Sequence, residues 1–262
     1  MLGSLGFSQH WGWAAFGKHP VAKDYFRIGS DVPLARAFSG WVEQGYQLLG
    51  AKRNPSIKLH AWRFWAKGTK KDRLVCGVGR DSSDSIGRPY PLLIMGTGPL
   101  EGWEERWDLL PFACEKTWSQ IEYLTTRRFA DFKQLEDEVR TLKPPYPCWS
   151  EFEYQRGRPG ELASSSNHRA SSSMGPRDVE NKVANLSEKT ELFIPLECGP
   201  SSDPFALAGL WHSFLKVRVA DVPNAVFMGG VLEEAYLAVF RRPLIPMDFL
   251  QLWSVCGNVK SL

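Results

Sequence analysis

Three apolar runs, residues 59–66, 73–79 and 91–96, are separated only by polar turn material at 68–72 and 81–85. Links this short join antiparallel neighbours, because a parallel crossover needs a dozen or more residues. The spacing therefore predicts three consecutive antiparallel strands. Residues 11–17 are small and apolar and read as an edge strand or an extended lead-in. A helix follows, with Ser30 or Asp31 able to cap it, Pro33 in its first turn and Gly50 closing it. Leu34, Phe38, Trp41, Val42 and Leu49 fall on one face of that helix, which should bury them on the sheet.

Beyond the third strand, Asp108 is placed to cap a helix whose face carries Cys114, Thr117, Trp118, Ile121 and Leu124. Asp131 is placed to cap another, bearing Phe132, Leu135, Val139 and Leu142, which must stop at Pro144-Pro145. A strand at 192–194, a helix opened by Asp203-Pro204, strands at 225–228 and 235–240 and a helix over 247–255 complete the pattern. The fold class is α/β or α+β, with a central mixed, largely antiparallel sheet flanked by helices.

The organisation read from composition is an N-terminal region over 11–150, a Ser-rich stretch over 155–190 and C-terminal elements over 191–262. The middle stretch holds Ser164-Ser165-Ser166 and Ser171-Ser172-Ser173 and few large apolar residues. It buries too little to offset its ordering entropy, so it reads as a mobile loop or linker. The C-terminal elements are too few to form a separate domain and are expected to extend the same sheet.

Hydrophobic residues make up 43% of the 262-residue chain and there are 11 Trp, ample for a folded core. The net charge of +3 is too small to imply a nucleic-acid surface. No apolar run is long enough to span a bilayer, and residues 1–10 lack the pattern of a secretory signal, so a cytoplasmic location is the default. The five cysteines (Cys76, Cys114, Cys148, Cys198 and Cys256) are far apart and odd in number, which reads as buried thiols rather than disulfides or a metal site. The sequence implies no cofactor.

Two blocks stand out. The first is Gly17-Lys18-His19-Pro20 followed by Asp24-Tyr25-Phe26. The second runs Asp84-Ser85-Ile86-Gly87-Arg88-Pro89-Tyr90-Pro91-Leu92. Gly12 to Lys18 meets most of a phosphate-loop pattern, but His19 stands where Mg²⁺ needs Ser or Thr. Pro20 also lacks the amide that a phosphate cradle would use. Lys18 with Asp24, and Asp84 with Arg88, can tie the two loops to each other, or can be presented to a partner or a small ligand. Neither block has the spacing of a catalytic constellation. The five histidines share no spacing, and no Gly-x-Ser-x-Gly elbow is present. Catalysis is not supported.

In order, and with Trp62-Arg63-Phe64 between them, the two blocks resemble the TagF/ImpM family of type VI secretion accessory proteins. The similarity is strongest over residues 13–118, with Tyr25 inserted before Phe26 and Tyr90 in the place of a Phe. Arg242-Pro243-Leu244-Ile245-Pro246 looks like the family's C-terminal portion. Pro223-Asn224-Ala225-Val226-Phe227 also looks like that portion, although it departs from the family's usual pattern. The resemblance implies a cytoplasmic, non-enzymatic regulator that represses secretion after translation by binding the forkhead-associated scaffold protein. It marks Gly17, Lys18, Pro20, Asp24, Phe26, Asp84, Gly87, Arg88 and Pro91 as family-motif residues and as a candidate partner surface. The other readings are a structural subunit of the secretion baseplate and a small-molecule-binding domain using Lys18, Asp24, Asp84 and Arg88.

Overall fold

The computed structural model describes residues 10–50, 59–156, 189–196, 204–219, 221–231 and 234–254. Its strands are β1 (Gly12–Gly17), β2 (Phe26–Ile28), β3 (Ala61–Lys67), β4 (Arg73–Arg80), β5 (Leu92–Pro99), β6 (Glu191–Leu196), β7 (Ala225–Val231) and β8 (Glu234–Phe240). They form one 8-stranded sheet in the order β2-β1-β5-β4-β3-β7-β8-β6. The short polar links do make β3, β4 and β5 an antiparallel meander. Every other strand pairing is antiparallel too, so the parallel admixture allowed for in the sequence is not found among the described strands.

Two long-range pairings define the topology. β1 is not an edge strand, as residues 11–17 suggested, because it lies between β2 and β5. The short β2 takes the edge instead. β7 pairs with β3 in a register that sets Phe64 opposite Phe227, which attaches the C-terminal strands to the meander.

Strand alternation divides the core in two. Trp62, Phe64 and Ala66 of β3 point to one face, where they pack with α1 (Ala35–Gly50) and α6 (Pro246–Leu252). Trp65 points to the other, beneath α2 (Leu110–Thr126), α3 (Phe132–Arg140) and α5 (Pro204–Arg218). The Trp65 indole donates to His212 Nε2 at 3.1 Å, and the Trp118 indole donates to the Phe64 carbonyl at 3.2 Å. These bonds let large aromatic rings be buried without leaving their N–H groups unpaired. On the opposite face, α1 and α6 cross closely at Gly45. A β-carbon there would sit 2.3 Å from that of Phe249, so only glycine permits the contact.

Several boundaries differ from those expected. α1 begins at Ala35, away from Ser30 and Asp31, because Leu34 adopts a left-handed φ of 66° immediately before it. Asp108 does not cap α2. It is buried inside a 3₁₀ turn, Trp107–Leu109, that runs directly into the helix. Asp131 does cap α3, its Oδ1 accepting from the Gln134 amide at 2.9 Å. The helix α4 (Trp149–Arg156) was not foreseen, and it takes in the first two residues of the stretch assigned to the Ser-rich linker. Its Phe152 stacks on Phe112 of α2. The rest of that linker, through residue 188, lies outside the described residues, as does the Asp203 cap, although α5 does open at Pro204. α6 opens at Pro246 and ends at Leu252, so the expected helix over 247–255 ran too far: Trp253 and Ser254 form a turn after it, and Val255 lies outside the described residues.

Cys76 and Cys114 are buried free thiols, while Cys148 is half-buried. Burial, reinforced by the neighbouring Cys76, holds the Cys114 thiol protonated. Cys198 and Cys256 fall outside the described residues. Among the described residues no helix is long and apolar enough to cross a membrane.

Candidate functional site

The sheet topology brings the two sequence blocks together. β1 ends at Gly17 beside the start of β5, in a register pairing Phe16 with Leu93. The loop leaving β1 and the loop entering β5 therefore emerge at the same end of the sheet. Gly17 has φ 121°, and a β-carbon there would lie 2.0 Å from the Pro91 carbonyl oxygen. Glycine is needed both for that dihedral and for the close approach of the two backbones.

Each loop is stiffened locally. In the first, the Ala22 amide donates to the His19 carbonyl at 2.8 Å and the Val21 amide to His19 Nδ1 at 3.1 Å. His19 is buried edge-on to Phe129. Burial lowers its pKa, so the ring is a neutral packing element. In the second loop, Asp84 Oδ1 accepts from the amides of Ile86 and Arg88 at 3.2 and 2.9 Å, and Gly87 takes a positive φ of 82°. This is an Asx-type turn, in which a short carboxylate satisfies its own backbone.

The loops are then locked across each other. The Ser85 amide donates to the Ala22 carbonyl at 2.9 Å, and Arg88 Nη2 donates to the Lys23 carbonyl at 3.0 Å. Lys18 Nζ lies 3.0 Å from Asp84 Oδ2, and Arg88 Nη2 lies 3.2 Å from Asp24 Oδ2. Arg88 Nε completes the set with a 2.6 Å bond to Asp84 Oδ2. Two cations and two carboxylates thus compensate one another. Asp84 is the hub: its side chain is 0% exposed, against 64% for Asp24. Burial alone would push the Asp84 carboxyl up, but the bonds from Lys18, from Arg88 and from the two amides hold it well below the usual carboxylate range. A carboxylate so fully paired is a structural anchor and is poorly placed to accept a proton from a substrate.

The family-motif residues separate into two groups. Gly17, Phe26, Asp84 and Pro91 are buried, with Phe26 edge-on to Phe132 at 5.0 Å. Pro20, Asp24, Gly87 and Arg88 are exposed, and Lys18 is half-buried. Ile86, at the tip of the second loop, is 72% exposed. Tyr25, Tyr90 and Tyr46 form a short aromatic ladder beside the loops, with centroids 5.4 and 4.8 Å apart. The phosphate-loop pattern has no loop to act through: residues 12–17 are the strand β1, hydrogen-bonded to β5.

Sequence reasoning missed three polar networks. Arg63 of β3 is buried and forks onto Glu122 with two 2.6 Å bonds, while Nη1 reaches Glu115 at 2.7 Å. An arginine inside the apolar run Trp62-Arg63-Phe64 was a signal for this, since a half-buried strand keeps a charge only when it is paired. Arg242 makes a bidentate contact with the buried Asp248 at 2.7 Å and also bonds Glu191, tying α6 to the edge strand β6. Asp81 accepts from His60 and from the Trp253 indole. Glu191, Glu115 and Glu122 sit far in sequence from their arginines, so nothing local announced them. Among the described residues no group of three or more His, Cys, Asp or Glu side chains could hold a metal.

Residues 14–142 match the model of a type VI secretion system-associated domain, which sets the class of protein. That model is the TagF N-terminal domain, and the chain belongs to the TagF family. The match spans both motif loops. Among solved structures the chain is similar to the crystal structure of PA0076 from Pseudomonas aeruginosa PAO1. The identity is 15%, the TM-score 0.52, and the similarity covers 95% of this chain and 97% of that one. At that identity the likeness establishes a shared fold and nothing further. None of the curated proteins compared with the chain matches it.

Proposed function

We propose that this protein is a non-enzymatic, post-translational repressor of type VI secretion that acts in the cytoplasm by binding the forkhead-associated scaffold protein. The observation that carries the reading is the self-compensated charge of the motif loops. Lys18, Asp24, Asp84 and Arg88 neutralise one another, and their bonds fix the shape of two loops, the second of which carries the exposed Ile86 at its tip. Such a construction suits rigid presentation of a surface to a protein, because a preordered loop loses little conformational freedom on binding. The match to a type VI secretion-associated domain over the same loops supports the pathway.

The test is titration of the purified protein against the forkhead-associated scaffold protein. A saturable complex is expected, and Ile86→Asp should weaken it at least tenfold (~1.4 kcal/mol) with the thermal midpoint unchanged. The reading fails if no complex forms at high micromolar concentrations.

A further inference from the structure

Beside the motif loops, a small concave pocket of about 70 Å³ opens between β2 and the first turns of α1. Arg27 and Ser30 line it from the β2 side, and Arg36 and Ser39 from the helix. No carboxylate lines it. Arg27 donates to the Tyr25 hydroxyl at 3.2 Å, and that hydroxyl in turn bonds Ser39 Oγ at 3.0 Å. Glu43 lies within electrostatic reach of Arg27, yet no ion pair joins them among the described residues. Arg36 has no ion-pair partner among the described residues either. It stands in the first turn of α1, where the helix dipole disfavours a cation and where no acidic residue offsets it. An unpaired arginine at the positive end of a helix, facing a second arginine across a pocket, raises the local potential without any structural return. The four motif charges nearby, by contrast, are fully compensated.

We propose that this pocket binds a phosphate group, either as free phosphate or as a phosphate monoester. Two planar guanidinium groups can each offer paired N–H donors to a tetrahedral oxyanion. The hydroxyls of Ser30 and Ser39 supply further donors, and the N-terminus of α1 favours a negative charge at that end. The pocket has room for a single phosphate-sized group and not for a nucleotide, so any larger part of a ligand must remain outside it. The site is separate from the Lys18–Asp84 brace and does not depend on the proposed repressor role.

The experiment is calorimetric titration of the full chain, at low ionic strength, with inorganic phosphate and with O-phosphoserine, sodium chloride serving as the ionic-strength control. Amide shifts of Gly29, Ser30 and Arg36 are followed by NMR in parallel. Saturable binding is expected, weakened about tenfold or more in Arg36→Gln and likewise in Arg27→Gln, with thermal midpoints unchanged because both side chains are exposed. Tighter binding of O-phosphoserine would identify a monoester as the ligand, and equal or weaker binding would identify free phosphate. Heat no greater than that of chloride, or binding and amide shifts that persist unaltered in both variants, would overturn the proposal.

Discussion

At the scale of the residue, Asp84 decides whether the two motif loops hold together. Its carboxylate is buried, meets Lys18 and Arg88 and closes its own turn. Because its folded pKa is depressed, its contribution is present above the ordinary value of 3.8 and is lost as the pH falls below it. Asp84→Asn should therefore lower the thermal midpoint at neutral pH, and by more than Asp24→Asn, whose carboxylate is mostly exposed. The variant should also lose less stability than the wild type on acidification from pH 5 to 3. Equal midpoints for the two variants would show that Asp84 is no hub. His212 gives a second acid response. Burial depresses its pKa to about 4 while it accepts a bond from Trp65. A depressed histidine stabilises above the unfolded value of 6.5 and loses that contribution as the pH falls towards 4. His212→Gln, which keeps an acceptor for the indole, should flatten midpoint against pH over that window. An unchanged slope would place the acid sensitivity elsewhere, with the buried His19, whose pKa is also lowered by burial, the next candidate.

At the scale of the element, the pairing of β1 with β5 turns on a close approach that no side chain could tolerate. Gly17 lets the end of β1 press against Pro91 at the start of β5. Gly17→Ala adds both an unfavourable dihedral and a backbone clash, so it should cost about 2–4 kcal/mol. That corresponds to a midpoint roughly 5–15 °C lower, and a drop under about 3 °C would mean that the strands part without strain. How far the sequence foretold such features depended on how local they were. The β3–β4–β5 meander and the Asp131 cap were legible because short turns and a single capping side chain act over a few residues. The neighbour of β1 was not, since its pairing with β5 spans most of the N-terminal half and leaves no periodic trace. Asp108 looked like a cap because it precedes an apolar helical face, but the chain enters that helix through a 3₁₀ turn and buries the carboxylate. α4 escaped notice because its apolar residues do not repeat on one face. Within the site, the pairing of Lys18 with Asp24 and of Asp84 with Arg88 was readable. The contacts that cross from loop to loop, Lys18 to Asp84 and Arg88 to Asp24, required the sheet to set the loops side by side.

At the scale of the whole molecule, one antiparallel sheet carries the N-terminal TagF domain and the C-terminal strands together through the β3–β7 pairing. Helices on both faces fix that sheet, which fixes the end from which the motif loops project. A rigid surface of this kind acts by occupancy, so the proposed repressor should work in proportion to its amount. The most direct measurement is secretion output in cells as the ratio of this protein to the forkhead-associated scaffold protein is raised stepwise, both being quantified. Repression should rise with the ratio and approach completion only as the two become comparable in number. Full repression at a strongly substoichiometric ratio, with the protein folded and intact, would contradict sequestration and point to a catalytic mode of action.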